Sequence, residues 1–440
     1  MSEKKKPKEK DKAKEELAAI KKAITEKKAR WKAAETPISK LSKEERMKRL
    51  GNIIPEEELK VMLKKQEEKE KKREAAAREG SPIDPPPEWD WRNVSGSDWT
   101  TPIKDQGGCG SCVAFACIGA LEMLMKKWYY NDATKVLDFS EAHLFFCNNR
   151  QCHPGDPNYG WSISSALNYL EANGVPDEGC YPYTDNNQPC NTCADWTSRT
   201  DLTKIKDWKT VTDVNEMKQI LSEHGCLVAN FLVYEDFFAY SSGVYEHTYG
   251  DYKGGHAVAV VGYDDVDDCW ICKNSWDVGF GESGWFRIAY GECGIDDTMY
   301  NIELYCPAEA SGMNMGFSDQ DIQLVRKFRD RVLNTRKGRA YLFSTLRHIW
   351  AITSIQHILV TNKKIREETA KALKPFIEAM RTMDQFKPKK LQKAEIQAGI
   401  AVLEKMARVD QRLQPAVNAV KERAPQFVGK DLKQILRELI

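Results

Sequence analysis

Two cysteines, Cys109 and Cys112, lie three positions apart in the stretch QGGCGSCVAF at positions 106–115. A Cys-x-x-Cys pair serves as half of a metal site, as a redox pair, as a half-cystine or as the carrier of a nucleophile. Cys112 begins an apolar stretch that favours a helix, and the positive end of a helix dipole stabilises a thiolate. The residue types therefore permit thiol chemistry at Cys112.

A nucleophilic thiol needs a base, a group that orients the base, and donors for the oxyanion that forms on the attacked carbonyl. His256, in GGHAVAVVGY, lies 144 residues after Cys112, at the head of a predicted strand. Asn274, in CKNSW, follows 18 residues later, at the end of a second predicted strand that can pair with the first. Its amide oxygen can accept a hydrogen bond from the imidazole, so the three residues predict a catalytic site.

A zinc site is the competing interpretation of the Cys-x-x-Cys pair. It requires a second pair of ligands, and Cys269 and Cys272 are the formal candidates. Cys272 lies two residues before Asn274 in a predicted strand, so its use as a ligand would distort the catalytic site. We therefore favour the nucleophile, and we expect no metal and no other cofactor.

The elements that must position these residues form a helical half followed by a β half. Apolar residues have helical spacing from Cys112 to about residue 129 and over 161–172. Four short runs rich in β-branched and aromatic residues predict strands at 226–234, 257–265, 267–276 and 284–291. This succession predicts an α+β fold with a cleft between the two halves.

The segments that precede this unit differ in composition. Residues 1–30 and 56–79 are rich in Lys, Glu and Ala, which is typical of exposed helices or of disorder. Residues 31–55 carry apolar side chains that can dock, and Ser42 with Glu45 predicts a capping box for a helix ending at Gly51. Three prolines at 85–87 forbid helix and indicate a boundary.

The last 120 residues are helix-forming in composition throughout, which predicts a separate helical domain. Ser318 and Asp321 cap a first helix, and Pro375 and Pro415 kink or interrupt later ones. The predicted apolar stripes contain Val325, Phe328, Val332, Leu333, Leu342, Leu346, Trp350, Leu373, Phe376, Met380, Leu403, Met406 and Leu413. We expect this domain to bind a partner that the sequence does not identify.

Composition limits the classes of partner and compartment. The net charge of +1 gives no electrostatic reason to expect nucleic acid as a partner. All thirteen cysteines lie between 109 and 306, which favours a disulfide framework and an extracellular or other oxidising compartment, although no signal peptide is visible. The longest apolar stretch, 349–360, is too short to span a bilayer, so no transmembrane segment is expected.

Several motifs occur in a familiar order: PEWDWR, QGGCGSCVAF, FSEAHLFFC, GCYPY, GGHAVAVVGY, KNSWDVGFGESGWFRI and CGIDD. By these motifs residues 87–307 resemble the papain/cathepsin family of cysteine peptidases. The spacing from Cys112 to His256 and Asn274 also fits this family. The resemblance implies a two-lobed fold, with a helical left lobe and a β-barrel-like right lobe.

The resemblance also implies the role of each site residue. Cys112 would be the nucleophile, paired as a thiolate with the imidazolium of His256, the general base and then general acid. Asn274 would orient the imidazole, and Trp276 would shield that hydrogen bond from water. Gln106 would donate its side-chain amide to the oxyanion, beside the backbone N–H of Cys112.

For substrate binding the resemblance implies contacts at Gly160, Gly255 and Ala257. Thr298, five residues after Cys293, would form the floor of the pocket for the P2 side chain. A neutral residue there favours an apolar P2 side chain, although Asp297 is its neighbour.

The resemblance implies disulfides from Cys109 to Cys152 and from Cys147 to Cys190. Cys180 and Cys193 can form a further local bridge. Cys293 has no counterpart just before His256, so it is free or paired elsewhere, for example with Cys226. The pairing of Cys269, Cys272 and Cys306 stays open.

Taken together, these features predict a cysteine endopeptidase made as an autoinhibited zymogen. The predicted parts are a charged extension, a prosegment, the peptidase domain and an all-α domain, at 1–30, 31–84, 85–307 and 308–440. The prosegment would cross the cleft as an intramolecular inhibitor and be cut near 75–87. Two alternatives remain: a transpeptidase or ligase with the same thioester chemistry, and a non-catalytic binding protein on this scaffold.

Overall fold

The structure is a computed structural model that describes residues 9–72, 85–130, 132–200, 203–305, 320, 321, 355, 358, 359, 362–382, 388–432 and 434. The chain divides into two compact units, Met1–Leu304 and Tyr305–Ile440. Within the described residues no helix is both long enough and apolar enough to cross a membrane. The cysteines that the structure describes, the predicted catalytic residues and the disulfides all belong to the first unit.

The first unit begins with helices that precede the predicted peptidase. These elements are α1 (Glu9–Lys27), β1 (Trp31–Ala33), α2 (Lys43–Met47) and α3 (Glu56–Lys72). The composition of α1 predicts an exposed helix, yet Ile20 is 1% exposed and packs in the same core as Trp31. A few apolar side chains on one face are therefore enough to dock this charged helix.

The helical lobe is built around α4 (Cys112–Met125), which continues as a π-helical turn to Tyr130. Every residue of α4 is buried, as expected of a helix that is apolar on all sides. It packs against α5 (Glu141–Phe146) and α6 (Ile163–Ala172), and on its other side against a strand of the β lobe. The predicted helices after Cys112 and over 161–172 are confirmed.

The β lobe contains most of a nine-stranded sheet in the order β1-β5-β8-β7-β6-β4-β9-β3, with β2 also paired to β6. The remaining elements of the unit are β2 (Glu88–Asp90), α7 (Trp196–Arg199), β3 (Ile205–Val211), α8 (Val214–Glu223), β4 (Leu227–Tyr234), β5 (Tyr240–Tyr245), β6 (Tyr252–Asp264), β7 (Cys269–Lys273), β8 (Trp285–Ala289) and β9 (Met299–Leu304). Strand β6 pairs with both β4 and β7 in antiparallel register, and it faces α4. The α+β prediction is confirmed.

Two predicted boundaries differ from the structure. The Ser42–Glu45 capping box is present, but α2 ends at Met47 rather than at Gly51, so the chain is extended by the time it reaches Gly51. Strand β6 starts at Tyr252, which makes His256 an interior residue of the strand instead of its first. The register with β4, where His256 pairs with Phe231, supplies the long-range contact that extends this strand.

The second unit contains α9 (Lys363–Thr382), α10 (Lys393–Val409) and α11 (Gln414–Arg423). Pro375 lies inside α9 and Pro415 lies in the first turn of α11, where proline is well tolerated. Met406 and Leu413 are buried in one of its apolar clusters. Of the helix predicted to begin near Ser318, the structure describes residues 320 and 321, which are helical. The stripe from Val325 to Leu333 lies outside the described residues, and so do Ser318, Leu342, Leu346 and Trp350.

Candidate active site

Cys112 is the first residue of α4 and is fully buried. Its thiol lies at the amino end of the helix, where the dipole favours a negative charge. Burial nevertheless raises the pKa of this thiol to about 11, and backbone N–H groups, including those of Ala257 and Gly51, offset only part of that effect. Burial therefore favours the neutral form of the thiol.

His256 and Asn274 come together as the spacing of their strands predicts. The His256 imidazole Nε2 lies 2.8 Å from Oδ1 of Asn274, which also accepts a hydrogen bond from the backbone N–H of Ser275 at 2.9 Å. The Trp276 ring lies against the imidazole, with 4.6 Å between the ring centroids, and is fully buried. Asn274 thus fixes the ring, and Trp276 covers the contact.

The other imidazole nitrogen of His256, Nδ1, is buried and makes no well-formed hydrogen bond within the described residues. Burial lowers the pKa of His256 to about 4, although the Asn274 hydrogen bond and the nearby Arg49 carbonyl favour the protonated ring. The family resemblance implies a thiolate–imidazolium pair. The structure instead has a site from which water is excluded, and burial favours the neutral pair there.

Gln106 is 0% exposed and joins the two lobes. Its Nε2 donates to the carbonyl of Cys109 at 2.7 Å and to the carbonyl of Arg49 at 3.1 Å. Its Oε1 accepts from Oγ of Ser275 at 2.7 Å. Because the two carbonyl oxygens can only accept, they fix which end of the amide is the donor, and the N–H group points at a carbonyl oxygen of another segment.

That segment is residues 49–53, called the crossing segment below. The backbone N–H of Asn52 donates to the carbonyl of Gly255 at 3.2 Å. On the other side, Trp161 N–H donates to the carbonyl of Gly51, and Ile53 N–H donates to the carbonyl of Trp161, both at 2.8 Å. The crossing segment is thus hydrogen-bonded to both walls of the cleft.

Glycines permit this close approach. A Cβ atom on Gly51 would lie 1.7 Å from the carbonyl oxygen of Gly110, and one on Gly160 would lie 2.3 Å from the carbonyl oxygen of Gly51. Gly160 also has a φ of +63°, which disfavours other residues. Gly160 therefore makes room, while the backbone of its neighbour Trp161 makes the hydrogen bonds.

The remaining predicted substrate-binding residues lie at different places. Ala257 is buried beside His256, and its backbone favours the Cys112 thiolate. Thr298 is half-buried and immediately precedes β9. The role of Thr298 in a P2 pocket stays a prediction.

The disulfides among the described residues are Cys109–Cys152 and Cys147–Cys190, the two pairs that the resemblance implies, and Cys180–Cys193, the further local bridge that the sequence allows. Cys109 is therefore not available as a zinc ligand, which removes the competing interpretation of the Cys-x-x-Cys pair. The unpaired cysteines among the described residues are all buried, namely Cys112, Cys117, Cys226, Cys269, Cys272 and Cys293. Cys306 lies outside the described residues.

Two polar partners of the site are absent from the sequence-based prediction. Ser275 holds Gln106 and Asn274 together, and Tyr159 donates from its hydroxyl to the carbonyl of Leu50 at 2.8 Å. Ser275 lies inside the KNSW motif, directly after Asn274, and this position in the sequence could have indicated that it belongs to the site. Tyr159 contacts a residue 109 positions away in the chain, and no local pattern indicates such a contact.

Comparisons with known proteins agree with this geometry. Residues 85–302 match the papain family of cysteine proteases. The chain is 36% identical over 211 residues to cathepsin B-like CP2 of Giardia intestinalis, covering 45% of this chain and 68% of that protein. It is also 36% identical over 236 residues to cathepsin B-like CP1 of the same organism, covering 50% and 75%.

The structure is also similar to a solved structure, that of the digestive procathepsin L2 proteinase from the larval midgut of Tenebrio molitor. The TM-score is 0.52 at 24% sequence identity, and the match covers 67% of this chain and 90% of that one. At this identity the comparison supports the shared two-lobed fold. The match is longer than the 85–302 region, so part of the chain outside that region aligns as well.

Proposed function

The chain belongs to the papain family of cysteine proteases, and on that premise we propose that it is a cysteine endopeptidase made as an autoinhibited zymogen. The observation that carries the proposal is the crossing segment at Cys112, with its Arg49 carbonyl on the Gln106 amide. A peptide backbone thus already occupies the position where a substrate carbonyl would have to lie.

In the proposed reaction, Cys112 attacks the carbonyl carbon of the scissile bond as a thiolate after its proton has passed to His256. The imidazolium then donates that proton to the leaving amine, and an acyl-enzyme remains on the sulfur. His256 takes a proton from water, whose oxygen attacks the thioester and releases the acid. Asn274 acts through the ring by holding it in this orientation.

Gln106 is the proposed side-chain donor to the oxyanion. Its Nε2 already donates to the Arg49 carbonyl, and its amide is held by Ser275 before any substrate arrives. A donor that is fixed in advance contributes about 10²- to 10³-fold in rate. The backbone N–H of Cys112 is the second donor in this proposal.

Inhibition follows from the same contacts. The crossing segment binds both cleft walls through its backbone, and Gly51 lies too close to Gly110 for a substrate to enter beside it. We propose that cleavage near 75–87 releases it; residues 75–84 of that stretch lie outside the described residues. Water then reaches the site, and the thiolate–imidazolium pair becomes accessible.

The three disulfides suit a secreted or lysosomal oxidising compartment. An endopeptidase is proposed because the sequence contains no recognisable insertion that would close one end of the cleft. An apolar P2 side chain is proposed because Thr298 is neutral. For the helical second unit, binding of an unidentified partner stays a proposal.

The direct test is hydrolysis of fluorogenic peptides by the full chain before and after acid or proteolytic activation. We expect activity only after activation, with no activity in Cys112→Ala and a loss of about 10²-fold or more in Gln106→Ala. Cys226→Ser, which changes another buried unpaired cysteine, is the matched control and should remain active. Undiminished hydrolysis by Cys112→Ala would refute the mechanism.

A further inference from the structure

Helix α3 follows the crossing segment and lies against the peptidase, although most of its residues are charged. Met62 is only 2% exposed and Gln66 only 3%. With Lys65 and Lys69 they occupy positions i, i+3, i+4 and i+7, which is one face of a helix. These four residues are called the docking face of α3.

The docking face meets two carboxylates in the connection between β8 and β9. Lys65 Nζ lies 2.7 Å from Oδ1 of Asp297, and Lys69 Nζ lies 3.2 Å from Oε2 of Glu292. Glu292 is 1% exposed, so its charge is largely removed from water while α3 is bound. A carboxylate in that position is stabilised by a cation and by hydrogen bonds.

Gln66 makes a paired contact with the same connection. Its Nε2 donates to Oε1 of Glu292 at 2.8 Å, and its Oε1 accepts from the backbone N–H of Cys293 at 2.8 Å. One amide therefore recognises a side chain and the adjacent backbone together. This arrangement requires a fixed distance between helix and loop.

Met62 supplies the apolar part of the contact. A Cβ atom on Gly294 would lie 2.5 Å from Cε of Met62, so the helix approaches the loop closely at this glycine. Glu292, Cys293, Gly294 and Asp297 together are called the docking surface. It combines one apolar contact with two negative charges.

The docking surface is held by bonds that do not involve α3. Oδ2 of Asp296 accepts hydrogen bonds from Trp270 Nε1 at 3.1 Å and from the backbone N–H of Gly291 at 2.7 Å. The carbonyl of Cys293 accepts from the backbone N–H of Leu232 at 2.9 Å. The loop is therefore preformed, and we expect it to keep its shape when α3 leaves.

Cleavage near 75–87 would release α3 together with the crossing segment. The two lysines would then be lost from Glu292 and Asp297, although Glu292 keeps its hydrogen bond from the backbone N–H of His247 at 3.1 Å. The freed surface carries the carboxylates of Glu292 and Asp297 without the two lysines, and charge complementarity then favours a cationic occupant. Asp297 is also the neighbour of Thr298, so this surface lies beside the predicted P2 pocket.

The geometry points to a second substrate-recognition site. We propose that in the activated enzyme the docking surface binds a helical segment of protein substrates that presents an apolar residue and two lysines or arginines with the spacing of Met62, Lys65 and Lys69. Helix α3 is the internal occupant that covers this site in the zymogen. The proposal rests on the proposed peptidase function and names a class of substrate for it.

Two fluorogenic substrates test the proposal. One is a short peptide, and the other is the same peptide joined by a flexible linker of about ten residues to a copy of residues 56–72, so that a bound helix raises the local substrate concentration. With the activated full chain we expect the tethered substrate to have a kcat/KM about fivefold higher or more, through a lower KM.

Matched variants separate specific docking from general charge attraction. Lys65→Glu in the tethered helix should abolish the increase in kcat/KM. Lys64→Glu changes an exposed neighbouring lysine and should leave that increase unchanged. In the enzyme, Asp297→Asn should bring the ratio of tethered to untethered kcat/KM close to one, while Asp251→Asn, at another exposed carboxylate, should not.

Three outcomes would overturn the proposal: no gain from the tether, a gain that survives Lys65→Glu, or slower hydrolysis of the tethered substrate. The last result would mean that the docking surface serves only to inhibit. Hydrolysis of the untethered peptide by the same preparation reports on the proposed peptidase function separately. Failure of that function is thus distinguishable from failure of the second recognition site.

Discussion

Burial opposes the ionisation of Cys112 in this structure. In the covered state burial holds the pKa of the thiol at about 11 and that of His256 at about 4. Burial therefore favours the neutral thiol and the neutral imidazole, although Cys112 lies at a helix amino end. We therefore propose that the crossing segment affects the ionisation of the site as well as access to it.

A pH profile of alkylation tests this point. In the full chain we expect the rate of Cys112 modification by iodoacetamide to rise with pH toward about 11, because only the thiolate reacts and burial raises its pKa. After activation the rate should already be near its plateau at neutral pH. Mapping the modified peptide by mass spectrometry separates Cys112 from Cys117, and identical profiles before and after activation would contradict the account.

The sequence is sufficient to predict those site residues that belong to motifs. Cys112, His256 and Asn274 were predicted from the order and spacing of motifs, and the structure brings the latter two within hydrogen-bonding distance. Tyr159 and the Arg49 carbonyl were not predicted, because each meets the site through a contact far apart in the chain. The neutral pair was also missed, since ionisation depends on how completely the site is covered.

The position of the crossing segment in the cleft depends on Gly51. Replacing Gly51 with Ala would introduce a Cβ atom 1.7 Å from the Gly110 carbonyl oxygen, and backbone atoms on both sides leave it no room. The segment must therefore shift away from Cys112. We expect the Gly51→Ala full chain to hydrolyse peptides before activation, at least about tenfold faster than the unaltered full chain, since a loss of about 1.4 kcal/mol in docking suffices.

Ile53→Ala is the matched control for that measurement. Ile53 belongs to the same segment, but its side chain is 47% exposed and its hydrogen bond comes from the backbone. It should leave the full chain about as inactive as before. Equal activity of the Gly51→Ala and unaltered full chains would show that the close approach does not matter for inhibition.

Helices and strands with a continuous apolar pattern are easier to predict from the sequence than the residues at which they begin and end. The helix α4 and the strand β4 are apolar except for Glu122 and Asn230, and the sequence predicts both. The sequence predicts that β6 begins near residue 257, whereas the strand begins at Tyr252. Residues 252–255 become part of the strand because they pair with β4 and, at Gly255, with the crossing segment. The charged helix α1 was assigned to an extension because its few buried side chains do not stand out by composition.

At the scale of the whole molecule, the disulfides are confined to one region of the first unit. They join residues between Cys109 and Cys193, which include the helical lobe, while the β lobe relies on its aromatic core. The Cys147–Cys190 bridge spans 43 residues of the chain. In the chain-entropy model, a loop of this length raises the free energy of the unfolded state by about 4 kcal/mol. We therefore expect the helical lobe to depend on oxidation.

Unfolding of a Cys147→Ser, Cys190→Ser double variant measures that dependence. The first unit should unfold at lower denaturant concentration, with a loss of about 2–4 kcal/mol. Tryptophan fluorescence is a suitable probe, because every tryptophan except Trp350 lies in the first unit. Cys226→Ser, at an unpaired buried cysteine, should cost much less, and equal losses would contradict a stabilising role for the bridge.

The central claim is that Cys112 is the one nucleophile and that it is masked until activation. The most direct measurement is covalent labelling with a peptidyl vinyl sulfone, followed by peptide mapping of the full chain before and after activation. The account predicts one label, on Cys112, only after activation, and none in His256→Ala or Cys112→Ala. Labelling of another cysteine, or equal labelling of Cys112 in the uncleaved chain, would contradict it.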